Sequence, residues 1–170
     1  MTREIVVLER GRPLSCSFEE ILKYHGFGSP GGVAHAFKVM ERAWPELSPA
    51  GAPPERREIS VVTAFGGPGA RDAFEFVTRA VTGERYVVDP ALARAERGRT
   101  LERFIFRLRY HGRTVTLLLR DGYVTDEFID LARAEDRSPE DETRLTVLKQ
   151  AMADRIMAVP AEDVYDSAVS

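Results

Sequence analysis

The chain has 170 residues, 44% of them hydrophobic, which is the size and composition of one globular domain able to bury most of the surface its unfolded form exposes. Its 24 basic and 27 acidic side chains leave a net charge of -3, which excludes a whole-protein field of the kind that gathers nucleic acid or an anionic membrane. Cys16 is the only cysteine, no apolar run approaches the about 20 residues that cross a bilayer, and no leader-type N-terminal stretch is recognisable, so a soluble protein of the reducing cytoplasm is expected.

The first element is a strand over 4–8, closed by Gly11 and Pro13. Ser17 and Glu20 have the spacing of a capping box and predict a helix over 18–24. That helix should stop at Gly26, because the run 26–32, with Gly28, Pro30, Gly31 and Gly32, is too rich in glycine and proline to hold a regular element. Val33, Phe37, Met40 and Trp44 recur at helical spacing and mark a second helix, ended by Pro45. A proline-rich surface connection over 48–57 leads to a buried strand over 59–65. The turn Gly66-Gly67-Pro68-Gly69 then opens a helix carrying Ala70, Ala73, Phe74, Val77 and Val81, and the run 86–88 completes a β-α-β unit.

From Leu101 the pattern becomes alternating. Phe104, Phe106, Leu108 and Tyr110 share one face, while Arg103, Arg107 and Arg109 fall largely on the other. Gly112 turns this strand into a second one over 114–120, giving an antiparallel hairpin. Thr125 caps a helix running to about Ala134, and Ser138-Pro139 starts a longer one with Leu145, Leu148, Met152 and Ile156 inward. Residues beyond Pro160 read as an acidic, loose tail. Aromatics interleaved with arginines can stack bases, but the alternation explains these aromatics as core, and nucleic-acid binding is not expected.

Three segments resemble the FmdE-like family of formylmethanofuran dehydrogenase proteins. The loop Tyr24-His25-Gly26-Phe27-Gly28-Ser29-Pro30-Gly31, followed by Phe37-Lys38 on a helix, is similar to the family's HGHxCPG signature and its aromatic-basic pair. The stretch from Ala70 through Asp72 and Thr78 to Gly83 is similar to CAVDAIQxLTGCTxG, and the closing helix with Ala158-Val159-Pro160-Ala161-Glu162-Asp163 is similar to the family's charged helix and APxEE finish. The resemblance covers roughly 17–165 and implies a single α+β domain (1–165, with 166–170 a loose tail), a small mixed β-sheet with packed helices, a helical C-terminal arm and a homodimer. The family's metal ligands are not matched: Phe27 stands at its second histidine, and Ser29, Gly69 and Ala80 at its cysteines. Serine is too weakly acidic to replace thiolate on zinc, so no metal and no other cofactor is expected, the alternative being a metal held by His25, Asp72 and another carboxylate. With no CxxC pair in the sequence, the C-terminal zinc-finger module of some relatives is not expected either.

What remains is the chemistry of His25 and Asp72. A histidine beside glycines suits general acid-base work near neutral pH, or merely bonds a helix-end carbonyl. Asp72 is expected in the first turn of a helix, where the helix field alone would favour a carboxylate, yet the resemblance brings it to the same pocket as His25. The 66–69 turn, with Gly67 and Gly69, is either a simple tight turn or a nest of amides for a small anion, with Arg71 or Lys38 as countercharge. Ser29 lacks a nucleophile elbow and reads as a hydrogen-bonding pocket residue; Tyr24 and Phe27 read as pocket walls. The resulting expectation is a metal-independent enzyme of biosynthetic type acting on a small organic molecule, anionic if the 66–69 turn holds it, with His25 and Asp72 catalytic. A non-catalytic ligand-binding protein, or a partner subunit of a redox complex, is the alternative.

Overall fold

A computed structural model describes residues 3–170. Strands β1 (Glu4–Glu9) and β2 (Arg12–Ser17) form an antiparallel hairpin with Glu9 opposite Arg12. The linking residues Arg10 and Gly11 have φ of 51° and 80°, the left-handed pair that matches the twist of a two-residue hairpin turn. Only β1 is legible in the sequence. β2 exposes Arg12, Pro13, Leu14 and Ser15 in succession and so carries no alternation to read. Helix α1 (Phe18–His25) follows directly, held by the expected capping box: Ser17 Oγ accepts from Glu20 N at 3.1 Å, and Glu20 Oε1 accepts from Ser17 N at 3.0 Å.

The central element is α2 (Pro30–Leu47), which is buried without a break from 30 to 40. It packs on α1, on α3 (Pro68–Thr78) and on α5 (Pro139–Met157), and lies against the main sheet. The sequence expectation of a loop through residue 32 is corrected here. Pro30 occupies the first helical position, where its missing N–H is harmless, and the two glycines admit neighbours at close range. A Cβ on Gly31 would fall 2.2 Å from Met152 Cε, and one on Gly32 would fall 3.0 Å from the Ala70 nitrogen. Pro45 does not end the helix either. It sits in the last turn, and Ser48 N still donates to Trp44 O at 2.9 Å beyond it. Trp44 Nε1 donates to Val6 O at 3.0 Å and fastens the hairpin to α2.

The expected β-α-β unit is present: β3 (Ser60–Thr63), α3 and β4 (Tyr86–Val88), with β3 and β4 parallel. α3 stops at Thr78, short of the expected Val81, because Arg79 turns into the left-handed region with φ 56°. The hairpin of β5 (Ile105–Tyr110) and β6 (Arg113–Leu119) pairs onto β3, with His111 and Gly112 at φ 47° and 80° in its turn. Phe106, Leu108 and Tyr110 are buried, while Arg107 and Arg109 face solvent, so the aromatics of this strand belong to the core. α4 (Asp126–Arg133) and α5 follow, each with its predicted cap at Thr125 and Ser138.

Residues 166–170 are not a loose tail. After a short helix α6 (Ala161–Val164), strand β7 (Tyr165–Val169) pairs antiparallel with β6, and Ser170 exchanges backbone hydrogen bonds with Thr114 at 2.8 and 3.0 Å. Unpaired, β6 would leave an open edge on a half-buried sheet. The tail closes that edge, and Tyr165 is drawn fully into the core with its hydroxyl 2.8 Å from His35 Nδ1. The result is an α+β fold whose five-stranded mixed sheet has the order β4-β3-β5-β6-β7. Among the described residues no helix is long and apolar enough to cross a membrane.

Candidate functional site

α1 ends where Gly26, at φ 94°, donates its N–H to Leu22 O at 2.7 Å. That termination places His25 in the last turn of α1, facing α3. Asp72 projects from the second turn of α3, not from the expected first turn, because the helix already starts at Pro68, and His25 Nδ1 lies 2.8 Å from Asp72 Oδ2. The two residues nominated from the sequence are therefore in direct contact. The His25 side chain is 7% exposed and that of Asp72 28%. Arg71 stands further out, with Nη1 3.8 Å from Asp72 Oδ1, and adds only a solvent-screened attraction.

An ionised carboxylate can only accept a hydrogen bond, so the His25–Asp72 contact fixes the proton on Nδ1. The neutral ring then presents a lone pair at Nε2. That atom is buried and has no hydrogen-bond partner. A histidine oriented by a carboxylate through one nitrogen, with the other unclaimed, is the arrangement of a general base. Here the unclaimed nitrogen is covered.

The other nominated residues divide. Gly26, Phe27, Gly28 and Pro30 line a groove of about 500 Å³ against α5, with Lys23 and Lys149 at its rim. Lys149 Nζ donates to Gly28 O at 3.1 Å. Phe27 is fully exposed at the loop tip and walls no enclosed pocket; the flanking glycines carry the ring outward instead of into the core. Tyr24 leaves α1 on the opposite side, where its ring meets Phe76 at a centroid distance of 5.5 Å.

The cavity expected between the His25 loop and the 66–69 turn is filled. A Cβ on Gly69 would lie 2.3 Å from the Ser29 carbonyl oxygen and 3.1 Å from Ser29 Cβ. Gly69 is thus a close-approach residue between two helix starts, not an anion nest, and Ser29 contributes its backbone to that contact. Gly67 is covered by the Phe65 ring, whose Cζ sits 2.4 Å from where a Cβ would be. Lys38 is no countercharge for a ligand: it is fully buried, donating to Val159 O at 2.7 Å and to Glu41 Oε1 at 3.0 Å. Burial pushes its ammonium below the usual lysine range, partly offset by Glu41. It pins the carbonyls after α5, as Arg3 does through Met157 O and Val159 O.

The residues present do not fit the metal that the FmdE-like resemblance implies. Ser29 and Gly69 do meet, but one offers a backbone oxygen and the other no side chain. Phe27 points to solvent, and Ala80 is buried beyond the far end of α3, whose axis runs about 14 Å from Gly69 to Thr78 at 1.5 Å per residue. No group of three or more His, Cys, Asp or Glu converges among the described residues. Neither a protein-family model nor a curated protein matches the chain.

Sequence reasoning missed Lys149, which lines the groove and donates to Gly28 O. It comes from a distant segment and had no local mark.

Proposed function

We propose that the protein is a cytoplasmic, metal-independent enzyme that performs acid-base chemistry on a small organic molecule, on a scaffold of the FmdE-like kind. The observation that carries the reading is the 2.8 Å contact of His25 Nδ1 with Asp72, which leaves Nε2 unclaimed. His25 transfers the proton, and Asp72 holds the tautomer and balances the imidazolium that forms. The substrate's apolar part rests on Phe27 and Leu22, and an anionic end meets Lys23 and Lys149. Access to Nε2 requires the 26–28 segment to shift, for which Gly26 and Gly28 supply backbone freedom. The free, buried Cys16 accords with a reducing compartment. A homodimer and a biosynthetic role belong to the same reading.

The covering of Nε2 favours a second reading, a ligand-binding protein or a redox-complex subunit without catalysis. One experiment separates the two. The protein is incubated in D2O with a pool of small carboxylates and carbonyl compounds, and turnover or C–H exchange is followed by NMR. The enzyme reading expects turnover that falls by about 100-fold or more in His25→Ala and by about 10-fold in Asp72→Asn. Turnover that survives both changes removes these roles. Ligand-induced shifts without turnover support the binding protein.

A further inference from the structure

A second cleft, of about 550 Å³, lies on the other side of α1, between β2, α1 and the C-terminal half of α3. Tyr24, Phe76 and Leu14 form its apolar side, and Cys16 closes its floor. Its charged residues are two of each sign, Glu20, Glu75, Arg56 and Arg79. Two of these are already committed. Arg56 donates through Nε to Val77 O at 2.9 Å, through Nη2 to Phe76 O, and lies 3.4 Å from Glu9. Glu75 accepts from Thr82 N at 3.0 Å and from the Thr82 hydroxyl.

The other two retain capacity. Glu20 uses Oε1 for the capping box, which leaves Oε2. Arg79 has a buried Nε with no hydrogen-bond partner, and its 3.6 Å approach to Glu75 Oε2 is too long for one. Arg79 also sits in the left-handed conformation, φ 56°, at a helix end where glycine is the ordinary residue. A left-handed backbone that holds an unpartnered Nε at the wall of a cleft, on a side chain 42% exposed and so reachable from solvent, is the kind of outlier that points to a ligand.

We propose that this cleft binds a small zwitterion, a free α-amino acid with an aromatic or large apolar side chain. Its carboxylate pairs with Arg79, its ammonium with Glu20, and its side chain lies against Tyr24 and Phe76. The balance of charge argues for both groups at once. A simple carboxylate would leave the free Oε2 of Glu20 unmatched, and a simple amine would leave Arg79 Nε without a hydrogen bond. Binding is non-covalent: burial pushes the Cys16 thiol up to about 11, far from a reactive thiolate. The proposal stands whether or not His25 transfers protons, although Phe76 lies only four residues, about 6 Å, along α3 from Asp72.

Calorimetric titration of the full chain with L-phenylalanine, 3-phenylpropionate and phenethylamine tests it. Saturable binding of phenylalanine is expected, weakened at least about tenfold for each truncated probe, because each loses one of the two charge-assisted hydrogen bonds. Arg79→Met should abolish phenylalanine binding. Glu20→Gln keeps the capping oxygen, so it should fold, and should weaken phenylalanine without affecting phenylpropionate. His25→Ala should bind phenylalanine as the wild type does, which separates this site from the acid-base pair. The proposal is overturned if the wild type does not bind phenylalanine at millimolar concentration, if phenylpropionate binds equally well, or if Glu20→Gln and Arg79→Met both bind unchanged.

Discussion

The two ends of α3 are built in opposite ways. At its N-terminus the helix has no side-chain cap, and its first turn is pressed against the start of α2, with Gly32 and Gly69 in backbone contact. At its C-terminus the carbonyls are satisfied by side chains from elsewhere: Arg56 takes those of Phe76 and Val77, and Arg85 takes those of Thr78 and Arg79. The glycine-rich end resembles a binding loop, but at Gly69 it is closed by packing, and only Gly66 and Gly67 border a cleft, of about 300 Å³. The arginine-rich end borders a cleft and carries the strained residue. A strand-glycine-helix turn is therefore no evidence of an anion site until something shows that its amides face open space.

The largest test of this contrast is Gly69→Ala. The new methyl would meet the Ser29 carbonyl at 2.3 Å and the Val33 nitrogen at 3.0 Å, both backbone atoms that cannot swing aside. We expect a loss of about 3 kcal/mol or failure to fold, read by urea unfolding. Wild-type stability in this variant would mean that the junction is not closed.

At the other end, Arg56→Met keeps the aliphatic stem and removes the donors to Phe76 O and Val77 O. Two partly buried carbonyls lose their partner, which should cost about 2 kcal/mol. A loss below about 0.5 kcal/mol would show that water replaces the guanidinium and that this end is wetter than its contacts suggest.

The closed interior also has a pH signature. His35 is fully buried beside Phe104, and burial holds its imidazole down to about 3. As pH falls below the ordinary value near 6.5, the unfolded chain takes up a proton that the folded chain refuses. Stability contributed by neutral His35 is thus complete above about 6.5 and declines by about 1.4 kcal/mol per pH unit down to about 3. Stability measured against pH should be shallower by one proton in His35→Leu. Identical slopes in the two proteins would place His35 in contact with solvent.

These contrasts mark how far the sequence could be read. Local signals held where the determinant is local: the Ser17–Glu20 box, the Thr125 and Ser138 caps and the alternation around Phe106 all have physical causes within a few residues. Where the cause lies across the fold, local reading failed. Gly31 and Gly32 are helical because Met152 and α3 need the space a side chain would fill, and β7 exists because β6 offers an edge. Lys38 has the sequence context of a free cation and is instead a buried clamp on Val159. His25 and Asp72 were legible as chemical types at helix ends, while their contact, and the covering of Nε2, belong to the way α1 lies on α3.

The smallest expected effect is the most discriminating, because its sign is opposite to that of Gly69→Ala. Arg79→Gly removes a Cβ at a left-handed position, where an L side chain is disfavoured by roughly 1 kcal/mol. Glycine also has more freedom to lose on folding, and the weak Glu75 attraction disappears. The net change should be a stabilisation of no more than about 0.5 kcal/mol, measurable as an unchanged or slightly raised urea midpoint with unchanged slope. If so, Arg79 is kept at its position for something other than stability, as the proposed zwitterion site requires. A clear loss of stability, about 1 kcal/mol or more, would instead make Arg79 a third structural arginine alongside Arg56 and Arg85. The contrast between the two ends of α3 would then be one of packing alone.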